Sequence, residues 1–231
     1  MGHYWKEWVT HAAAPNTHQR VAELIQKHGG DGRKALDAPC GAGAFSVFLQ
    51  SQGFDVSSLD IGKVDGFLFE SDKLTLADLN EGLPFPDNSF DLLVSIEGIE
   101  HLENPSFFLR ECERVTRSGG IVIVTTPNVD SIRSRRKCLF DGYHTSFNPE
   151  SSHTKTSGHI HPIDMVFMRG AAKRAKLTIA EVAINQIRES RAARFIYNLM
   201  RPYLNRKLPK EMRGEIPFFG DVAIYVMRPS D

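Results

Sequence analysis

"KALDAPCGAGAFSVFLQ", Lys34 to Gln50, is the stretch whose reading decides the fold. A short strand, "KALDAP", runs into a turn holding Gly41 and Gly43, and the turn opens a helix, "AFSVFLQSQG". Glycine lets the backbone approach a ligand closely, and the helix N-terminus offers free N–H groups. Asp37 stands at the strand end, where it can receive a cation or a hydrogen-bond donor.

Outward from this turn, strands and helices alternate. "NTHQRVAELIQKHGG" precedes it as an amphipathic helix with Asn16 as N-cap and Gly29-Gly30 as the stop. After it come the strand "FDVSSLDI" ending near Asp60, a weaker strand "KLTLADL", a strong one "FDLLVSI", a helix "PSFFLRECERVTRSGG" and the apolar strand "GIVIVTTPN". Farther on lie a helix "PIDMVFMRGAAKRA", a strand "LTIAEVAI", a basic amphipathic helix "SRAARFIYNLMRPYLNR" and a last strand "GDVAIYVMR". Apolar runs alternating with helices indicate an α/β fold with a mainly parallel, doubly wound, seven-stranded sheet covered by helices on both faces. The expected organisation is one domain: an N-terminal helical cap over 1–33, a cofactor-binding core over 34–130, a polar loop or lid over 131–161, and C-terminal helices and strands over 162–231.

Asp60 at the end of the second strand can accept both hydroxyls of a ribose at the C-terminal sheet edge. A dinucleotide site would carry a third glycine in Gly-x-Gly-x-x-Gly, but that position is Ser46. Over residues 34–130 the chain resembles the class I S-adenosylmethionine-dependent methyltransferases, with "LDAPCGAG", "LDI", "ADLNEGLPFPDNSFDLLVSIEGIEHLENP" and "LRECERVTRSGGIVIVTTPN" in order and register. The resemblance extends to the small-molecule branch that includes ubiquinone-type O-methyltransferases. It implies a Rossmann-like methyltransferase fold, S-adenosylmethionine as cofactor and S-adenosylhomocysteine as product. It also implies cofactor contacts at Asp37, Cys40, Gly41, Gly43, Asp60, Ile61, Asp78, Leu79 and Glu97, with Asp37 near the amino group, Asp60 on the ribose and Asp78 with Leu79 at the adenine. One position departs from the family pattern: Pro39 stands where glycine is usual, and it removes an N–H donor. Related enzymes fold a leading helix over the cofactor, which makes Arg20 a candidate partner for its carboxylate and Tyr4 or Trp5 a candidate lid.

"IEGIEHLENP", Ile96 to Pro105, places Glu97, Glu100 and His101 just behind the fourth strand, between cofactor and acceptor. A histidine is the natural base for an acidic hydroxyl near neutral pH, and His101 is the expected catalytic base; Glu97 and His101 are favoured over Glu100. The competing reading is a divalent metal on Glu97, Glu100, His101 and a histidine from His153, His159 or His161, similar to metal-assisted O-methyltransferases, the small-RNA ribose methyltransferases among them. A third reading has the stretch only opening a helix at Pro105.

Bulk properties agree with an ordinary globular domain. The net charge is zero, but residues 1–130 hold 10 Lys and Arg against 19 Asp and Glu, and residues 131–231 hold 18 against 9, so the halves carry −9 and +9. Three cysteines without paired spacing suggest neither a disulfide framework nor a zinc ribbon. No apolar run reaches membrane-spanning length and no secretory or myristoylation signal is read, so a soluble, cytoplasmic protein is expected. The partner expected is a small or amphiphilic acceptor methylated at oxygen; nucleic acid is disfavoured because no basic patch interleaved with aromatics is evident. Residues 190–206 pair an apolar stripe with arginines. They are read mainly as packing on the domain or a dimer partner, with peripheral membrane contact as the alternative. A cofactor-binding regulatory or scaffold subunit without activity is the runner-up function.

Overall fold

The computed structural model describes residues 13–29, 32–149, 158–186 and 218–230, together with 195, 198, 199, 202, 203 and 206. Helix α1 (Thr17–His28) leads into β1 (Lys34–Asp37), α2 (Ala44–Ser51), β2 (Asp55–Asp60) and β3 (Leu74–Leu76). Then come β4 (Phe90–Ser95), α3 (Pro105–Val115), β5 (Thr116–Pro127), α4 (Ile132–Asp141), α5 (Met165–Arg174), β6 (Leu177–Ile184) and β7 (Val222–Pro229). The seven strands form one sheet in the order β3-β2-β1-β4-β5-β7-β6. β1 to β5 pair in parallel, and β7 runs antiparallel to both β5 and β6.

Because successive side chains on a strand point to opposite faces, the apolar strands feed two cores. Leu36, Leu59, Leu93, Val122 and Val124 face α3 and α5, where Phe108, Leu109 and Met168 are fully buried. Ala35, Leu92, Val94, Ile121 and Ile123 face the other way, onto Val21, Leu24 and Ile25 of α1 and Phe45 and Leu49 of α2. The doubly wound, mainly parallel sheet expected from the alternation is therefore present.

Two element readings are corrected. "VTRSGG" does not extend α3. The helix ends at Val115, Thr116 already pairs with Phe90, and Arg117–Gly120 form an irregularity before Leu92 pairs with Ile121. Gly119 takes φ +79° there, and a Cβ on Gly120 would stand 2.9 Å from the Asp91 carbonyl oxygen. Paired glycines serve a β-bulge as well as a helix stop. The segment 131–161 is not all loop: it begins with α4, capped by Ser131, whose hydroxyl accepts the Ser134 N–H.

The described members of 190–206 are helical, but Phe195, Leu199 and Tyr203 are exposed. Within one chain these three apolar residues do not pack on the domain. Among the described residues no helix is long and apolar enough to cross a membrane.

Candidate active site

The C-terminal ends of β1, β2 and β4 open into a crevice of about 630 Å³, the right scale for a small-molecule cofactor with part of an acceptor. Its walls include Asp37, Cys40, Gly41, Asp60, Ile61, Asp78, Leu79, Glu97 and His101, so most of the residues expected at the cofactor converge there.

Gly41, at φ +52°, has open space where a side chain would stand, and its N–H donates to Asp60 Oδ2 at 2.7 Å. Asp60 Oδ1 accepts the Ile61 N–H at 2.8 Å. Both oxygens are thus aimed by backbone donors, and each keeps a lone pair for a further hydroxyl. Gly43 is placed differently from expectation. It does not line the crevice; it caps α2 at φ +79°, and a Cβ there would lie 2.9 Å from Phe69 Cβ. Its role is close packing behind the turn.

Asp37 is buried and accepts the Ser46 hydroxyl at 2.6 Å, while the Ser58 hydroxyl lies 2.8 Å from Ser46 Oγ. This explains why the third glycine of a dinucleotide turn is absent: Ser46 supports the Asp37 carboxyl. Burial above all, and the nearby Asp60 charge, push Asp37 up to about 7, against the Ser46 hydrogen bond. The folded pKa lies above the unfolded one, so the native state holds the proton longer. Stability without cofactor should fall as pH rises from about 4 to about 7, by on the order of 4 kcal/mol. Thermal melts across that range should show the decline, and Asp37→Asn should lessen it, leaving the part that Glu97 and Glu100, also raised by burial, contribute.

Asp78 Oδ1 accepts both the Asn80 N–H and the Asn80 side-chain amide, at 2.8 and 3.0 Å, and Asn80 in turn accepts the Glu103 N–H. The turn geometry available to Asp78 is present, and it sets the carboxylate and Leu79 at the crevice. Cys40 donates its N–H to the Leu59 carbonyl, and burial holds its thiol well above the usual range.

Pro39 packs directly on Gly98. A Cβ at Gly98 would fall 2.3 Å from Pro39 Cδ and 2.5 Å from Cγ. Both partners are rigid, so Gly98→Ala should destabilise the fold by about 1–3 kcal/mol and lower the melting temperature by several degrees, which calorimetry can read.

Glu97 occupies the left-handed region at φ +49°. Its N–H donates to Thr125 Oγ1 at 2.9 Å and its carboxylate accepts the Ala14 N–H at 3.1 Å, so it ties the segment before α1 across the crevice. Burial raises its pKa.

Glu100 is wholly buried in the 3-10 turn Ile99–His101. No well-formed hydrogen bond reaches either carboxylate oxygen among the described residues; the Thr126 hydroxyl beside it is close enough to lower the pKa a little, against the burial. Burial pushes Glu100 up to about 8, with a smaller contribution from the Glu97 charge. Its backbone carbonyl accepts both the Ile160 and His161 N–H groups, which clamps that segment onto the turn. His159 consequently stands over His101, with ring centroids 4.7 Å apart, and its Nε2 lies 3.9 Å from Glu100 Oε1. Glu100, His101 and His159 bring one ligand-type atom each within 4.8 Å of one another. Glu97 and His161 are not of this group, and His153 lies outside the described residues.

Two polar wall residues were not anticipated. His18 lies in the crevice beside Phe45, with ring centroids 5.2 Å apart, and burial drives its pKa down to about 4, leaving it neutral. Its signal was the spacing with Val21 and Ile25 on the buried face of α1. Arg20, a candidate partner for the cofactor carboxylate, pairs with Glu23 on that helix, and Tyr4 and Trp5 lie outside the described residues. Asn80 is the second, and its signal was the Asp-x-Asn turn.

The donor set is one that S-adenosylmethionine would fit: a buried carboxyl could face an ammonium, the aimed Asp60 oxygens could take ribose hydroxyls, and Asp78 beside an apolar wall could face adenine. Comparison with known proteins agrees. A methyltransferase domain family model matches residues 36–124. A ubiquinone biosynthesis O-methyltransferase of Pseudomonas syringae pv. tomato is 32% identical over 108 residues, covering 42% of this chain and 45% of that protein. The chain thus matches about half the length of such curated relatives. A SAM-dependent methyltransferase from Archaeoglobus fulgidus superposes with a TM-score of 0.61 at 18% identity, covering 92% of this chain and 94% of that one. The cyclase SpnF superposes with a TM-score of 0.57 at 17% identity, covering 96% and 86%. These superpositions show the fold, which hosts more than one chemistry. Residues 36–124 thus match a methyltransferase domain, and the sheet order with the crevice at its edge is the fold of the S-adenosylmethionine-dependent methyltransferases.

Proposed function

We propose that the protein transfers a methyl group to a hydroxyl of a small or amphiphilic acceptor, with His101 removing the hydroxyl proton. The observation that carries this reading is the tautomer of His101. Its Nδ1 lies 3.1 Å from the Gly158 carbonyl oxygen, which can only accept, so the neutral ring that this contact favours has its proton on Nδ1 and its lone pair on Nε2. S-adenosylmethionine supplies an electrophilic methyl group when bound. The chain's part is to orient the acceptor, exclude water and take the proton. Glu97 contributes by holding the Ala14 segment over the crevice. The O-methyltransferase name of the Pseudomonas relative supports oxygen as the acceptor atom.

A direct test follows label from S-adenosylmethionine into panels of phenols, other hydroxyl compounds and amines. Transfer to oxygen acceptors is the expected result; transfer confined to amines, or none to any panel, would defeat the reading.

A second reading has its own observation. His159 Nδ1 lies 2.8 Å from the Ser146 carbonyl oxygen, so His159 also keeps an Nε2 lone pair, 3.9 Å from the buried Glu100 carboxylate. Two imidazoles and a buried carboxylate form a donor set suited to a divalent cation, which lowers the pKa of an acceptor hydroxyl. Metal analysis of the untagged protein and activity after chelation separate the two. Full activity without divalent ions leaves His101 as base.

A further inference from the structure

Helix α4 has two unlike faces. Its inner face carries Ser134, which is buried, lies 3.0 Å from His144 Nδ1 and accepts the Thr145 N–H at 3.1 Å. The next residue, Ser146, is the one whose carbonyl holds His159. The helix is therefore mounted on the same short segment that positions the acceptor side of the crevice.

The outer face is apolar and basic. On an α-helix Ile132, Arg136, Leu139 and Phe140 fall on one side. Leu139 is 78% and Phe140 77% exposed, and Ile132 is exposed as well. Arg133 and Arg135 flank this stripe, each exposed and reaching to an acid at the helix base, Asp221 and Asp130. Arg136 is exposed and has no ion pair among the described residues. The stripe lies in the half of the chain that carries a charge of +9. Phe195, Leu199 and Tyr203, spaced by four residues in helical backbone, expose a second apolar row in the same basic half.

We propose that the outer face of α4 docks on an anionic phospholipid surface. Two large apolar side chains at the exposed end of a helix, with arginines that can extend beside them to phosphate, match what an interfacial helix requires. A second copy of this chain is the poorer occupant: a two-fold contact through this face would set Arg133 and Arg136 against their own counterparts. The lipid contact is independent of the methyl-transfer reading, because it concerns binding alone.

The test is flotation of the full chain with vesicles of phosphatidylcholine alone and of phosphatidylcholine mixed with phosphatidylglycerol. Binding to the mixed vesicles only, weakening as salt rises, is expected. Leu139→Ser with Phe140→Ser should weaken it at least about tenfold, and Arg136→Glu several-fold, with melting temperature and cofactor affinity kept. Failure to bind the mixed vesicles overturns the proposal, as does binding that the double variant leaves unchanged. Sedimentation showing a dimer that the double variant dissociates, without vesicle binding, would also overturn it and give the face to a second copy.

Discussion

Asp60→Ala should weaken S-adenosylmethionine binding by at least about a hundredfold in isothermal titration, equivalent to about 2.7 kcal/mol. Two losses add at this residue. One is the carboxylate available to ribose hydroxyls, where a hydrogen bond to a charged group contributes about 1.5–3 kcal/mol. The other is the anchor of the turn: Gly41 would lose the acceptor of its N–H, now 2.7 Å from Asp60 Oδ2, and with it the fixed left-handed geometry that opens the crevice. Asp60→Asn retains an oxygen and should lose less, about tenfold. Because Asp60 is only half-buried, the melting temperature should move little. Unchanged affinity in Asp60→Ala would show that the cofactor does not sit at the β1–β2 edge.

The second large effect is expected at His101. His101→Ala should lower the rate of methyl transfer by about 10²–10⁴, the range of a positioned general base, while cofactor affinity stays within a few-fold. The side chain is exposed at the crevice rim, so its removal should cost little stability. Its partners make the effect readable. Nδ1 is committed to Gly158, and the ring packs edge-on against His159. His159→Ala separates the two readings of the cluster. Under the base reading His159 only positions the ring, and the rate falls modestly with no change in metal content. If a cation is held there, losing either histidine lowers metal content and rate together. A His101→Ala protein with full activity would remove both roles.

Much of the architecture could be read along the chain. The strands "KALD" and "FDLLVS" match the observed elements closely because central parallel strands covered on both faces read as apolar runs, and the edge strand "LTIAEVAI" is legible from its β-branched residues. The turn at Gly41 was legible for a similar reason: the chemistry of a backbone turn is local. The errors occurred where one local pattern serves two structures. Gly119-Gly120 read as a helix stop and is a bulge, and the polar run after Ser131 read as loop although its first residues form a capped helix. Arg20 and His18 are two positions apart on α1, and helical geometry turns one toward Glu23 and the other into the crevice.

The EGIEH stretch marks the limit most clearly. The sequence alone set which titrating groups follow β4 and that they stand at the sheet edge, since a doubly wound order sends every parallel strand's C-terminal end to the same side. It ranked Glu97 and His101 above Glu100. Tertiary structure distinguished the two carboxylates: Glu97 ties down Ala14, whereas Glu100 is buried against a segment about sixty residues later in the chain and left without a well-formed hydrogen bond among the described residues. Burial, and with it the rise of the Glu100 pKa to about 8, depends on which distant backbone covers a group. The arrival of His159, rather than His161, over His101 follows from the two N–H groups that Glu100 accepts from Ile160 and His161. Local composition determines the strands, the glycine turn and the inventory of chemical groups; long-range packing alone decides which of those groups meet, because desolvation and hydrogen-bond pairing are properties of the folded neighbourhood.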